Sequence, residues 1–385
     1  MIDGDAADPA AAPRTVAFVA TEDWFFASHF LPLARATVAS GHRAVVVARV
    51  RDHGGAIAAT GAQVVPFEAD RASLNPWTLG DAAGRLAGVL RALKPDLVHS
   101  IALKGILLGG TAAAMAGVSR RVHAVTGLGY LGARRDRAGR LGRLAVKAVV
   151  RGPLSTGRTR YLFENPDDAA AFGLAGDPRA TILGGAGVDP CAFRPAPLPP
   201  QPPLKVGLVA RMLWSKGVDT AAQAVRLARA GGAPVELVLH GAPDPANPQA
   251  IPAERLAALA GDGVVYAGPT ADPAGFWAGR HVCLLPSRGG EGLPRTLLEG
   301  AACGRALVTT DVPGCRTLVR DGIEGLIVPP DDPAALAAAL ASLAADPERV
   351  ARLGAAARRR VMKDGFTEAA VAAAVMRVHA DLLSG

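Results

Sequence analysis

Two glutamates, Glu291 and Glu299, stand with seven residues between them in the stretch Leu284 to Cys315, LLPSRGGEGLPRTLLEGAACGRALVTTDVPGC. The loop that carries Glu291, Ser287 to Gly292, holds three glycines, which let backbone amides approach a ligand closely. Ahead of it, His281 to Pro286 (HVCLLP) is a short apolar run of the buried parallel-strand kind. After it a helix is expected, with Pro294 in its first turn and Thr296 to Cys303 supplying helix formers. Strand, glycine turn and helix N-terminus together make an anion site, because free amides and the positive end of the helix dipole face one point. The backbone of Gly292, Leu293 and Pro294 is therefore expected at sugar and phosphate oxygens. Glu299 falls about one and a half turns into the helix, on the face of Arg295 and Thr296, where it can accept from a ribose diol. Glu291 would repel a diphosphate but accepts readily from neutral sugar hydroxyls. The ligand with both chemistries is a nucleotide-sugar; the alternative is a solvated loop glutamate and a surface helix glutamate.

Arg211 and Lys216 follow the strand-like run Lys205 to Val209, in the sequence ARMLWSKG. Cations fixed at the carboxyl end of a strand can hold a diphosphate and stabilise charge on a departing nucleotide; the alternative is ordinary surface charge. A D-x-D spacing occurs only at Asp3 and Asp5 in the N-terminal tail, so no metal site is expected, and leaving-group stabilisation falls to Arg211 and Lys216.

The segment Glu291 to Glu299 (EGLPRTLLE) resembles the E-x7-E motif of the retaining glycosyltransferases of family four, which have the α/β GT-B fold of two Rossmann-like domains facing each other across a cleft. Val206 to Val218 (VGLVARMLWSKGV) resembles that family's first C-terminal strand with the Arg and Lys after it, and Thr181 to Pro195 its entry into the interdomain linker. Asp23 to Arg35, Arg71 to Pro76 and Leu97 to Tyr130 resemble the subgroup that elongates lipid-linked saccharides for capsules, O-antigens of lipopolysaccharide and bacterial N-glycans, so that the resemblance spans roughly residues 14 to 380. It implies transfer of a sugar from a nucleoside diphosphate donor, a UDP-sugar, to an undecaprenyl-diphosphate-linked saccharide with retained configuration. No cofactor is implied, the nucleotide-sugar being a substrate. Glu291, Arg211 and Lys216 take the catalytic roles, and Glu299, Gly292, Leu293 and Pro294, with Arg211 and Lys216, bind the donor. No nucleophile stands out, so front-face attack assisted by the leaving phosphate is the expected route. The chain departs from the pattern at Thr126, where relatives carry His, and at Thr317, where they carry Glu.

At 385 residues the chain is too long for one ordinary core, and two domains are the natural division. Half of the residues are apolar but only 4% are aromatic, and no run is long enough to span a bilayer. The opening MIDGDAADPAAAP lacks the basic start and apolar core of a signal peptide and reads as a disordered tail over residues 1–13. Four cysteines without metal-ligand spacing suit a reducing, cytoplasmic setting. The net charge of +8 is concentrated between Arg134 and Arg160, with nine Arg or Lys against one acid. Arg140, Arg143, Lys147 and Arg151 recur at helical spacing, with Leu141, Leu144, Ala145 and Val149 on another face. That is the pattern of a basic amphipathic helix on an anionic membrane surface, the alternative being a solvated face. Nucleic acid fits poorly, for want of aromatics to stack bases. The protein is thus expected at the inner face of the plasma membrane, peripherally bound.

Strand-like runs alternate with alanine-rich helical stretches throughout, the signature of βαβ units. Residues 14–195 read as an acceptor-side domain, 196–203 as a proline-rich stiff linker, and 204–365 as a nucleotide-sugar-binding domain. Residues 366–385 read as a helix returning to the first domain. Ligands of such sheets bind at the strands' carboxyl ends, so His29 and Lys104, each following a strand, are acceptor-side candidates, with Thr126 and Gly127. Gly127 to Gly132 (GLGYLG) spells G-x-G-x-x-G, but no acidic residue ends a second strand about 20 residues on, so a dinucleotide fingerprint is rejected. His99, His123 and His240 lie in apolar runs and read as core residues. Other activities remain open: transfer to a soluble acceptor, epimerisation of a nucleotide-sugar, or non-catalytic binding of one.

Overall fold

A computed structural model describes residues 12–69, 75–129, 132, 136–245 and 247–384. The tail up to residue 11, Arg71 to Leu74, Tyr130, Arg134 and Arg135 lie outside the described residues. The chain gathers into two compact units: the described residues of Met1–His123 with Pro153–Thr159 and Val375–Gly385, and Ala124–Gly152 with Arg160–Ala374.

The strand-like runs Lys205 to Val209 and His281 to Pro286 each hold a strand. β1 (Thr15–Glu22), β2 (Arg43–Arg49), β3 (Gln63–Pro66), β4 (Leu97–Ile101), β5 (Arg121–Val125), β6 (Thr159–Phe163) and β7 (Ala180–Ile182) make a seven-stranded sheet ordered β3-β2-β1-β4-β5-β6-β7. β8 (Leu204–Val209), β9 (Val235–His240), β10 (Val264–Tyr266), β11 (Val282–Leu285), β12 (Ala306–Thr310) and β13 (Gly325–Val328) make a six-stranded parallel sheet ordered β10-β9-β8-β11-β12-β13. In both, the order reverses between the first and fourth strands, β1 and β4 in one, β8 and β11 in the other. That is the doubly wound topology, and its switch point is where a ligand finds open strand ends.

Strands covered by helices on both faces show unbroken apolar runs. On one face of the six-stranded sheet Leu204, Val206 and Leu208 pack with Val218, Val225, Leu336 and Leu340. On the other, Cys283 and Leu285 pack with Leu297, Leu298, Ala301 and Trp277. The helix Arg295–Ala302 lies close to β11 because Gly300 lacks a side chain: a Cβ there would stand 2.4 Å from Cys283 Cβ. In the first unit Ala17, Val19, Val45, Val47 and Val98 pack with Leu86, Leu90 and Leu108.

Two late helices open on proline and are capped by aspartate. Pro333–Ala345 and Pro347–Lys363 each have proline in the first turn, and Asp332 and Asp346 accept the N–H of Ala335 and Arg349, both at 2.8 Å. In the proline-rich segment Gln201 Nε2 donates to the carbonyls of Leu343 and Ala344, both at 3.0 Å. The last helix, Glu368–Ser384, meets the first unit through its C-terminal half: Arg120 Nε donates to Leu382 O at 2.7 Å, and His99 Nδ1 lies 3.0 Å from His379 Nε2. No helix among the described residues is long and apolar enough to cross a membrane.

Candidate active site

β8 and β11 are paired neighbours, with Val206 opposite Val282 and Gly207 opposite Cys283, so the segments leaving their carboxyl ends are brought together. From β8 comes Arg211, which pairs with Asp244 at 2.8 Å while its side chain stays 43% exposed. The turn Trp214–Lys216 follows and ends at Gly217, whose positive φ of 67° and close approach to Pro286 O, 2.0 Å from a would-be Cβ, require glycine. This presses the turn against the end of β11 and delivers Lys216 to Glu291.

The Lys216 ammonium donates to both Glu291 oxygens, at 2.7 and 2.8 Å, and Ser287 Oγ donates to Oε1 at 2.8 Å. Two of the three ammonium protons are thereby used, and Oε2 keeps acceptor capacity. Arg288 ties the same loop to the Lys216 turn. It pairs with Asp219 at 2.8 Å, donates to Thr220 Oγ1 at 3.1 Å, and also meets Asp331 and the Trp214 carbonyl. Ser287, Arg288 and Asp244 were not singled out from the sequence, although Ser287 and Arg288 lie inside the glycine loop itself.

Pro294 does not open the helix. It is the N-cap, in extended conformation at ψ 119°, and Arg295 is the first helical residue. Proline has no N–H, so it supplies no amide to an anion. The Leu293 N–H is taken as well: it donates to Glu164 Oε2 at 2.7 Å. The Gly292 backbone is hemmed in, because a Cβ would stand 2.1 Å from Glu164 Oε2 and 2.7 Å from the Thr126 carbonyl carbon. Of the three positions expected to offer amides, the loop thus holds two engaged by the protein or lacking a proton. Glu164 was overlooked, yet it directly follows β6, as Lys104 lies three residues beyond β4, and a place at a strand's carboxyl end is the signal that could have found it.

Glu299 is buried, and its Oε1 accepts from Arg295 Nε at 2.9 Å, the helical pair anticipated from their shared face. Burial pushes its carboxyl above the usual range, while Arg295 pulls it back.

In the first unit, His29 ends the helix Asp23–His29, with Nδ1 near Ser28 Oγ at 2.6 Å and its ring on Phe25 at 4.6 Å. Lys104 lies in the first turn of Ala102–Met115, directly after β4, and is partly buried. Thr126 and Gly127 follow β5 in the second unit, where Gly127 has φ 99° and Gly129 N–H donates to Gly290 O at 3.0 Å. The glycine turn therefore lies on the Glu291 loop. Thr317 bonds back to Pro313 O at 2.9 Å, and Gly314 touches the loop, a would-be Cβ falling 1.8 Å from Gly292 O. His99 and His123 are buried in their strands, and His240 faces the Gly268 carbonyl at 2.8 Å. Helix Arg137–Arg151 leaves Leu141 67%, Leu144 56% and Val149 38% exposed.

Residues 203–346 match the family described as Glycosyl transferases group 1, and residues 15–153 the family described as Glycosyl transferase 4-like. The chain belongs to the family-four glycosyltransferases. Over 281 residues this glycosyltransferase is 27% identical to the N,N'-diacetylbacillosaminyl-diphospho-undecaprenol alpha-1,3-N-acetylgalactosaminyltransferase of Campylobacter jejuni, covering 69% of this chain and 72% of that one. Anabaena HepE, solved with UDP-glucose, aligns with a TM-score of 0.76 at 15% identity, covering 96% of the glycosyltransferase and all of HepE. The sucrose-phosphate synthase of Thermosynechococcus elongatus aligns with a TM-score of 0.77 at 20% identity, over 96% and 99% of the two chains. With its two doubly wound sheets, the glycosyltransferase has the GT-B fold.

Proposed function

We propose that this enzyme transfers a hexosyl or N-acetylhexosaminyl group from a UDP-sugar to an undecaprenyl-diphosphate-linked saccharide, with retention of configuration and without a metal ion. The observation that carries the reading is the Lys216–Glu291–Ser287 constellation at the switch point of the six-stranded sheet, with the buried Glu299 on the helix that follows. In this reading residues 204–365 hold the donor. Glu291 Oε2 accepts from a hydroxyl of the transferred sugar, and Glu299 from the ribose diol. The third proton of Lys216 goes to a phosphate oxygen, and the exposed Arg211 leaves Asp244 for the diphosphate, so that two cations stabilise the charge developing on the departing nucleotide. Lys104 and His29 are assigned to the acceptor. The lipid-linked acceptor is supported by the Campylobacter relative's name, and the UDP donor by the complex in which HepE was solved.

Helix Arg137–Arg151 supports peripheral attachment to an anionic membrane. Leu141, Leu144, Ala145, Ala148 and Val149 are all exposed at i, i+3, i+4, i+7 and i+8 spacing, flanked by Arg140, Arg143 and Lys147. An apolar stripe bordered by cations is complementary to acyl chains under anionic headgroups.

The test is UDP release from a panel of UDP-sugars, with and without a membrane extract holding lipid-linked saccharides, for wild type, Glu299→Ala and Lys216→Ala. Extract-dependent release lost in both variants is the expected result. Release without extract points to a soluble acceptor, conversion without release to epimerisation, and no turnover with any donor to binding alone.

A further inference from the structure

Glu164 and Asn165 leave the end of β6 and grip the backbone of the Glu291 loop with opposite polarity. Glu164 Oε2 accepts the Leu293 N–H at 2.7 Å, and Asn165 Nδ2 donates to Gly292 O at 3.2 Å and, more distantly, to Glu291 O at 3.5 Å. The Asn165 amide is itself oriented, because Oδ1 accepts the Asp168 N–H at 2.8 Å and Nδ2 meets Asp168 Oδ2 at 2.9 Å. Asn165 is fully buried. The loop carrying Glu291 is therefore held by its side chain through Lys216 and Ser287, and by its backbone through Glu164 and Asn165.

The charges around this grip are mainly negative. Glu164 faces the carboxylates of Glu291 and Asp168. Lys216 is engaged by Glu291, and Arg316 by Asp167 and Asp311. Among the described residues no ion pair joins a cation to Glu164. An ionised Glu164 would place a third negative charge beside the loop at which the donor diphosphate must bind.

We infer that Glu164 is a positioning residue of the donor site: uncharged, it holds Gly292 and Leu293 in place so that Glu291 faces the sugar, and once ionised it repels an anionic donor. This rests on the reading of the loop as the nucleotide-sugar site. Burial pushes the Glu164 carboxyl up to about 8, with Asp168 and Glu291 adding to the rise and the Leu293 N–H opposing it. The neutral form therefore prevails below that pH, and donor affinity falls as the pH rises through it.

The experiment uses the full chain, with UDP as the probe. Calorimetric titration from about pH 7 to about pH 9, for wild type and Glu164→Gln, is combined with hydrogen exchange at the Leu293 amide in wild type, Glu164→Gln and Glu164→Ala. The wild-type Kd for UDP is expected to rise several-fold across the window. Glutamine keeps the acceptor oxygen but cannot ionise, so its Kd profile should be flat and Leu293 should stay protected, whereas alanine should lose that protection. An equal pH dependence in wild type and Glu164→Gln, or unaltered protection of Leu293 in Glu164→Ala, overturns the inference. Absence of UDP binding to wild type at any pH, with Leu293 protection lost in the alanine variant, overturns the donor reading and the charge half of this inference, while the backbone grip stands.

Discussion

Replacing Lys216 by Met removes the cation that holds Glu291 while keeping most of the side-chain volume. The pair is bidentate at 2.7 and 2.8 Å, with the two side chains 17% and 11% exposed. At an effective dielectric of about 20, unit charges 4 Å apart interact by about 4 kcal/mol, and in the intact pair most of this offsets desolvation. The variant keeps the desolvation of Glu291 but leaves its carboxylate only the Ser287 hydroxyl. A fully buried charge stranded in this way costs about 3–5 kcal/mol. Residual exposure lets water relieve part of it, so we expect Lys216→Met to lose about 2–3 kcal/mol, a fall in Tm of roughly 4–12 °C for a unit of this size. Glu291→Gln should also destabilise, and the double variant should recover much of the loss. The assay is a double-mutant cycle in urea, read by circular dichroism, with an expected coupling energy of about 1.5–3 kcal/mol. A coupling below about 0.5 kcal/mol would place the pair among ordinary surface ion pairs and refute the reasoning that the loop is built around it.

Arg295→Ala removes the charge that opposes the burial-driven rise at Glu299. The Glu299 carboxylate should then take up its proton at a higher pH than in wild type, so that UDP affinity, followed as the pH is lowered, should fall earlier in the variant. Gly314→Ala drives a Cβ against Gly292 O, to 1.8 Å before relaxation; we expect a stability loss of about 1–3 kcal/mol and at least a tenfold weaker Kd for UDP, with unchanged UDP affinity as the refuting result. His379, packed on His99, is held well below its ordinary range, at about 3, by burial. The folded state binds fewer protons than the unfolded one below about pH 6.5, so stability falls as the pH is lowered; His379→Leu should flatten this acid limb in urea midpoints measured against pH. Leu141→Glu with Leu144→Glu should abolish co-sedimentation with vesicles containing anionic phospholipid and leave the Kd for UDP unchanged, while undiminished sedimentation would remove the helix from the membrane contact.

Much of the architecture could be read along the chain, because a parallel strand covered on both faces must be apolar throughout. HVCLLP and KVGLV announce β11 and β8 without any tertiary information. The Glu299 and Arg295 pair was readable for a similar reason, since helical periodicity places residues four apart on one face. Local pattern assigned Pro294 to the first turn and an amide role to its neighbourhood. The structure makes it the cap and gives the Leu293 amide to Glu164.

The sequence by itself determined the alternation of strands and helices, the glycine loop, and which residues carry charge near strand ends, because these depend on neighbours within a turn or two. Only the tertiary structure decided which charges meet. Lys216 reaches Glu291 across 75 residues and Glu164 reaches Leu293 across 129. These contacts depend on strand order, the β8 and β11 register, and glycines that let Gly127, Gly217, Gly292 and Gly314 approach other backbone closely. Strand order and close backbone approach are set by packing the whole chain, and no local periodicity encodes them.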